Sequence, residues 1–254
     1  MVGRWGALER LSEVSWVPRW VRWEHDARYA FAGQFVNGYV VVDCACGEGR
    51  GSWSLAHAGA SRVEAVDVSA AAVAHAQSHY HAPVLSFWCA DALTLPITTA
   101  FADVVVCLET LEHLLDDRRF LAEACRVLKP SGLFICSTPN RTVTNPGTTL
   151  ADPPWNRFHQ REHARSDLTE LLSSAFGQID WYGQNPCSAA RIQSMRRLAA
   201  CGSPSLAVWA MRLWKLPRFL WDAPAWHVVH PLRPHVEYEY VVAVCRSPRN
   251  GDPP

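Results

Sequence analysis

The segment Asp43-Cys-Ala-Cys-Gly-Glu-Gly49 joins a short apolar run to a stretch that reads as a helix. Gly47 and Gly49 let a ligand come close to backbone N–H groups, which are unpaired at a helix start. The loop is not a phosphate cradle. It lacks Gly-x-x-x-x-Gly-Lys followed by Ser or Thr, and Asp43 stands at the strand end where a clean Gly-x-Gly-x-x-Gly loop would begin. Asp67 closes the next apolar run, where a carboxylate can accept both hydroxyls of an adenosine ribose. Asp91 closes a third, within reach of an adenine amino group. Asp67 and Asp91 could instead do no more than cap the helices after them. Three strand-end acids beside a glycine loop favour a nucleoside ligand.

A second set of residues suits proton transfer. His113 follows Glu109 at i+4, so a helical turn there would face both to one side. His159 and His163 share that spacing in Asn156-Arg-Phe-His-Gln-Arg-Glu-His163. A histidine can take a proton from a hydroxyl near neutral pH. His113, His159 and Glu109 are therefore the candidate catalytic residues, set against the plainer reading of histidines that bond within their loops. A metal on His159 and His163, with Asp152 nearby, lacks a clear third ligand. Cys44 and Cys46 have no second pair to complete a zinc site, so no metal is expected. Arg157 and Arg161 read equally as holders of an anionic acceptor and as surface arginines.

Alternating apolar runs and helices must position these residues. Strands are expected at 39–43, 63–69, 84–91, 102–109 and 132–140. Helices are expected at 52–60, in the Ala-rich stretch after Ser69, and after Asp116, where Pro130 should stop the last. A lead-in helix is expected over 26–36. Residues 141–166 read as a long loop, followed by a helix capped by Ser166 or Asp167 and a strand at 178–184. This is an α/β pattern: a doubly wound, mostly parallel sheet covered on both faces. Residues 1–37 form the lead-in, 38–184 the core, 185–235 a helical insertion, and 236–254 the last strand and tail. The insertion carries Trp209, Trp214, Trp221 and Trp226, an aromatic surface suited to capping an acceptor and equally suited to a core or a homodimer interface.

Across its 254 residues the chain is 49% hydrophobic and 19% charged, enough apolar material for a large core. Formal charge is zero, which argues against a nucleic-acid partner. Nine cysteines, an odd number, without a secretory leader suit a reduced, cytoplasmic chain. No apolar run is long enough for stable membrane insertion.

Together, VVDCACGEGRGS, VEAVDVS, CADA, ETLEHL, RVLKPSGLFICSTPN and NRFHQREH resemble the class I S-adenosylmethionine-dependent methyltransferases. The resemblance is to the branch of ubiquinone-biosynthesis-type and sugar or natural-product O-methyltransferases, and covers about residues 24–184 plus the last strand. It implies a Rossmann-like sheet of seven strands, the last antiparallel. It implies S-adenosyl-L-methionine as cofactor, its methionine half held by Asp43 and the backbone near Ala45, Gly47 and Gly49. Asp67 would take the ribose, Val68 would pack on adenine, and Asp91 and Ala92 would address the adenine edge. Leu108 and Glu109 would line the floor, and Arg28 and Tyr29 would cover the cofactor and contact its carboxylate. Glycine commonly stands in the place of Ala45, a departure of one methyl group.

The expected reaction is methyl transfer to a hydroxyl of a small sugar, glycosylated or other natural-product acceptor, as in antibiotic biosynthesis. An amine acceptor and a non-catalytic binding protein are the alternatives. A nicotinamide oxidoreductase would need a Tyr-xxx-Lys pair, and ETLEHL has no role in one. A nucleic-acid methyltransferase would need a basic docking face, and Asp152-Pro-Pro-Trp comes too late in the chain for an amino-methylation motif.

Overall fold

The computed structural model describes residues 19–200 and 228–249. Its elements run α1 (Arg19–Ala32), β1 (Val40–Cys44), α2 (Arg50–His57), β2 (Arg62–Asp67), α3 (Ala70–His79), β3 (Leu85–Cys89), β4 (Ala102–Leu108), α4 (Asp117–Val127), β5 (Leu128–Pro139), α5 (Arg141–Thr144), α6 (Arg165–Ala175), β6 (Phe176–Cys187), α7 (Ala189–Ala200), β7 (His230–Pro231) and β8 (Glu237–Pro248).

The sheet order is β3-β2-β1-β4-β5-β8-β6-β7. Strands β1 to β5 pair in parallel, and β8 is antiparallel to both β5 and β6. This is the expected α/β architecture. Among the described residues the sheet holds eight strands rather than seven, because two residues, His230 and Pro231, pair with Tyr182 and Gly183 of β6. The centre is buried on both faces, so its strands read as unbroken valine runs: Val41, Val42, Val104, Val105 and Val106 are all fully inaccessible. On one face Phe120 and Leu121 of α4 and Leu168 and Leu172 of α6 pack on Phe134 and Phe176. On the other, Phe31 of α1 and Leu55 of α2 pack on Val41, Val104 and Ile135.

Several boundaries differ from expectation. Within the described residues helix α1 already runs from Arg19, ahead of the expected Asp26, and its buried face carries the charged Glu24 and Arg28 beside Tyr29 and Phe31. Helix α4 stops at Val127, before Pro130, and Leu128 already pairs with Ala102. Pro130 sits instead where the β4–β5 register shifts, between the Ala102–Leu128 and Val104–Leu133 pairs, a place where a missing N–H costs no ladder bond. The N-cap of α6 is Ala164, not Ser166 or Asp167. Asp167 lies in the first turn, accepts the Ala164 N–H at 2.9 Å and pairs with Arg141 at 2.7 Å. The loop after Asn140 opens with a helical turn, α5, and β6 continues to Cys187, past the expected start of the insertion.

Candidate functional site at the carboxyl edge of the sheet

The strands of the parallel half end together at one edge, where ligands of such sheets sit. There the chain turns from β1 into α2 through three left-handed residues, Ala45 (φ +59°), Gly47 (φ +57°) and Gly49 (φ +90°). At Gly49 a Cβ would stand 2.6 Å from the Ala76 Cβ and 2.8 Å from the Phe87 ring, so glycine is required by packing as well as by φ. At Gly47 a Cβ would meet nothing within 4 Å, which leaves that side of the loop open. The Gly47 N–H donates to Asp67 Oδ2 at 2.9 Å, and the Ser69 N–H to Asp67 Oδ1 at 2.8 Å. Ser69, not Asp67, caps α3 through the Ala72 N–H. Asp67 therefore ties the loop to the end of β2, with Val68 beside it 57% exposed. Asp91 is exposed and accepts the Leu93 N–H at 2.9 Å, and Ala92 is half-buried.

Asp43 is fully buried. Ser52 donates to its Oδ2 at 2.6 Å, and the Tyr29 hydroxyl lies 3.2 Å from both oxygens. Burial pushes the carboxyl up to about 7, against the lowering effect of the Ser52 and Tyr29 hydrogen bonds. Gly51 is the close-approach point, since a Cβ there would fall 2.1 Å from the Tyr29 ring. Tyr29 thus reaches Asp43, and Asp43 joins β1, α1 and α2. Beside it Arg28 donates to Gln184 Oε1 at 2.5 Å, lies over the Tyr240 ring at 4.4 Å, and has Glu109 3.6 Å from its Nε. Burial, with the Arg28 and Arg50 charges adding, pulls His25 down to about 3. Leu108 is buried at the end of β4, and Glu109 follows it in a left-handed conformation (φ +53°), accepting from Ser137 Oγ at 2.6 Å.

Glu109 and His113 are not turned to one side. Only Leu111–His113 forms a helical turn, of the tighter 3-10 kind. Glu109 faces Ser137 and Arg28, whereas His113 donates from Nδ1 to the Phe158 carbonyl at 3.2 Å. The His113 ring stands edge-on to His159, centroids 5.0 Å apart. Between them comes a residue the spacing did not single out, Glu112. It is 1% exposed and accepts from Thr138 Oγ1 at 3.1 Å. Burial, with Glu109 adding, holds its carboxyl well above the usual range. Donor atoms of Glu112, His113 and His159 all lie within 4.8 Å of one another, a grouping of the kind that can bind a cation. In this geometry both His159 ring nitrogens face protein partners: Nδ1 meets Glu162 Oε1 at 2.6 Å and Nε2 meets Asn156 Nδ2 at 2.8 Å.

His163 turns the other way, its Nε2 3.1 Å from Asp117 Oδ2 with both side chains buried, so the His159–His163 pair does not converge. Arg161 bonds the Leu115 carbonyl, Arg157 lies over Phe158, and Asp152 accepts from Thr149. Glu162, three residues after His159 in a segment without helix, is singled out by no spacing rule; only the fold of this loop brings the two side chains together. The tryptophans at 209, 214, 221 and 226 lie outside the described residues.

Residues 42–136 match the family model described as a methyltransferase domain. Over 161 residues, 63% of this chain and 60% of the relative, the sequence is 38% identical to the "Probable S-adenosylmethionine-dependent methyltransferase" of Mycolicibacterium smegmatis. A Mycobacterium tuberculosis protein with the same description is 44% identical over 140 residues, 55% of this chain and 48% of that one. The ubiquinone biosynthesis O-methyltransferase of Schizosaccharomyces pombe is 38% identical over 114 residues, 42% of this chain and 40% of that protein. The chain thus matches about half the length of its curated relatives. Among solved structures, a methyltransferase of Thermotoga maritima superposes with a TM-score of 0.61 at 16% identity, covering 90% of this chain and 93% of that one. A (4+2) cyclase superposes with a TM-score of 0.57 at 19% identity, covering 93% and 84%, so this fold is not tied to one reaction.

Proposed function

We propose that the chain binds S-adenosyl-L-methionine and transfers its methyl group to a hydroxyl of a small molecule. The observation that carries this is the strand-end carboxylate of Asp67. Two backbone N–H groups hold it beside an open glycine and an exposed valine, within the segment that matches the methyltransferase domain. That set fits the nucleoside half of the cofactor. A carboxylate accepts through both oxygens, so it can take hydrogen bonds from ribose hydroxyls as well as from the backbone. Val68 offers adenine an apolar face, with Asp91 and Ala92 at its edge. The backbone at Ala45, Gly47 and Gly49, under Asp43, takes the methionine half. Arg28 and Tyr29 close over it, and Leu108 and Glu109 form the floor.

Bound there, the sulfonium would supply an electrophilic methyl carbon, the C–S electron pair remaining on sulfur as the acceptor oxygen took the methyl group. The chain must align the acceptor, exclude water and remove the hydroxyl proton. His113 and His159, with the Glu112 carboxyl beside them, are the groups at this edge suited to the last task. Relatives named as O-methyltransferases support an oxygen acceptor. An even balance of 24 basic and 24 acidic residues favours a small acceptor over nucleic acid. A sugar or other natural-product scaffold, in cytoplasmic specialised metabolism, is the class we assign. Within the described residues, α1 of the lead-in covers the cofactor through Arg28 and Tyr29, and β8 closes the core over 38–184; the acceptor-capping role expected of the insertion over 185–235 falls mostly on residues outside those described. No helix of the described residues is long and apolar enough to cross a membrane.

Methyl-tritiated cofactor, offered with acceptor pairs that differ only in bearing a hydroxyl or an amine, tests the reading. Label should pass to the hydroxyl partner. Transfer to the amine alone would move the assignment to nitrogen, and cofactor binding without any transfer would favour a binding protein.

A further inference from the structure

We infer that Glu162 is a positioning residue that sets His159 as the proton acceptor for the methyl-accepting hydroxyl, an inference that rests on the methyl-transfer reading. Two hydrogen bonds hold the imidazole, and a third orients the amide that makes one of them. Nδ1–H donates to Glu162 Oε1 at 2.6 Å. The Phe158 N–H donates to Asn156 Oδ1 at 3.2 Å, which fixes which end of that amide faces the ring. Asn156 Nδ2 then donates to Nε2 at 2.8 Å. A carboxylate accepts and an amide N–H donates, so both ring contacts demand one neutral tautomer: hydrogen on Nδ1, lone pair on Nε2.

Glu162 is itself held. It is 3% exposed, and Thr144 Oγ1 and Asn145 Nδ2 donate to its Oε2, leaving Oε1 for the histidine. Thr144 ends α5 and Asn145 follows it, so the helical turn after β5 holds the carboxylate that orients the ring. The groups facing His159 from the turn after β4 are His113, edge-on, and Glu112, whose carboxylate lies within the same 4.8 Å grouping. Nε2 meets an N–H donor in this structure. An acceptor O–H that displaces the Asn156 amide makes the same hydrogen bond and points its proton at the same lone pair. As the oxygen takes the methyl group, its O–H bond breaks, the electron pair stays on oxygen, and the proton passes to Nε2. The imidazolium then stands between Glu162 and Glu112 and returns its proton to solvent.

Long-range proton–nitrogen spectra of histidine-labelled full-length protein read tautomer and titration without any acceptor. Wild type should show His159 as the Nδ1–H tautomer. Glu162→Gln should lower its pKa by about a unit, a tenfold shift of the proton equilibrium, because a charged partner becomes neutral. Asn156→Ala should keep the wild-type tautomer. An Nε2–H tautomer in wild type overturns the inference, as does an unchanged pKa in folded Glu162→Gln. Stoichiometric broadening of His113 and His159 by Mn²⁺ overturns it too, because the ring would then be a ligand. If Glu162→Gln fails to fold, the wild-type tautomer and the manganese titration decide. Calorimetry of the same samples with S-adenosylmethionine separates the outcomes: intact cofactor binding with the wrong tautomer sinks only the role of Glu162, and absent binding sinks methyl transfer.

Discussion

Ala45 is where judging a residue by size misleads. On volume alone, replacing a family glycine by alanine adds one methyl group. The structure puts Ala45 at φ +59°, so the cost lies in the backbone, where a Cβ crowds the following carbonyl. Ala45→Gly relieves that strain while adding freedom to the unfolded chain, and the first effect is the larger. We expect a net gain of about 1 kcal/mol, read as a higher urea midpoint at unchanged slope. A lower midpoint would show that the alanine methyl is held by contacts. At this scale the place of Asp67 at the end of β2 was legible, because it closes a short apolar run. Glu112 was not, because it hides behind the adjacent His113, and only the fold of the 156–163 loop brings His159 to both. Glu109 and His113 share i+4 spacing without sharing a face, since the left-handed Glu109 breaks the turn that spacing assumes.

Among the elements, β1, α1 and α2 are joined through one buried carboxylate, and that junction predicts a pH dependence. The folded-state pKa of Asp43, about 7, lies above its ordinary 3.8. The folded state thus holds this proton more tightly than the unfolded chain. The contribution is fully present below the unfolded value, is lost as pH rises toward 7, and is flat above, with a limiting slope of about 1.4 kcal/mol per pH unit. Asp43→Asn keeps the shape and removes the titration. The stability of wild type minus that of the variant should fall between pH 4 and 7 in urea titrations, whereas parallel curves would mean Asp43 ionises at its ordinary value. Helix α1 itself was only half legible. Apolar periodicity locates a helix by its buried face, and here Glu24 and Arg28 lie on that face, bonded to Asn185 and Gln184 of β6.

For the molecule as a whole, the strand–helix alternation through residue 140 carried the parallel half of the sheet, because strands buried on both faces must be continuously apolar. The far half was less legible. Strand β7 is two residues long, below what any periodicity can register, and the end of β6 beyond Gln184 reads as Asn-Pro, a turn signal overridden by pairing with β8. Around Arg28 the two halves meet: β4 ends on Leu108 with Glu109 just after it, β5 supplies Ser137, and β6 and β8 supply Gln184 and Tyr240. A fold shared with a cyclase leaves the cofactor as the first thing to establish. Calorimetric titration of the folded protein with S-adenosylmethionine and, separately, with NADH does so. One equivalent of S-adenosylmethionine bound, weakened at least tenfold by Asp67→Asn, with no heat from NADH, is the predicted result. Folded protein that binds no S-adenosylmethionine would contradict the account at its centre.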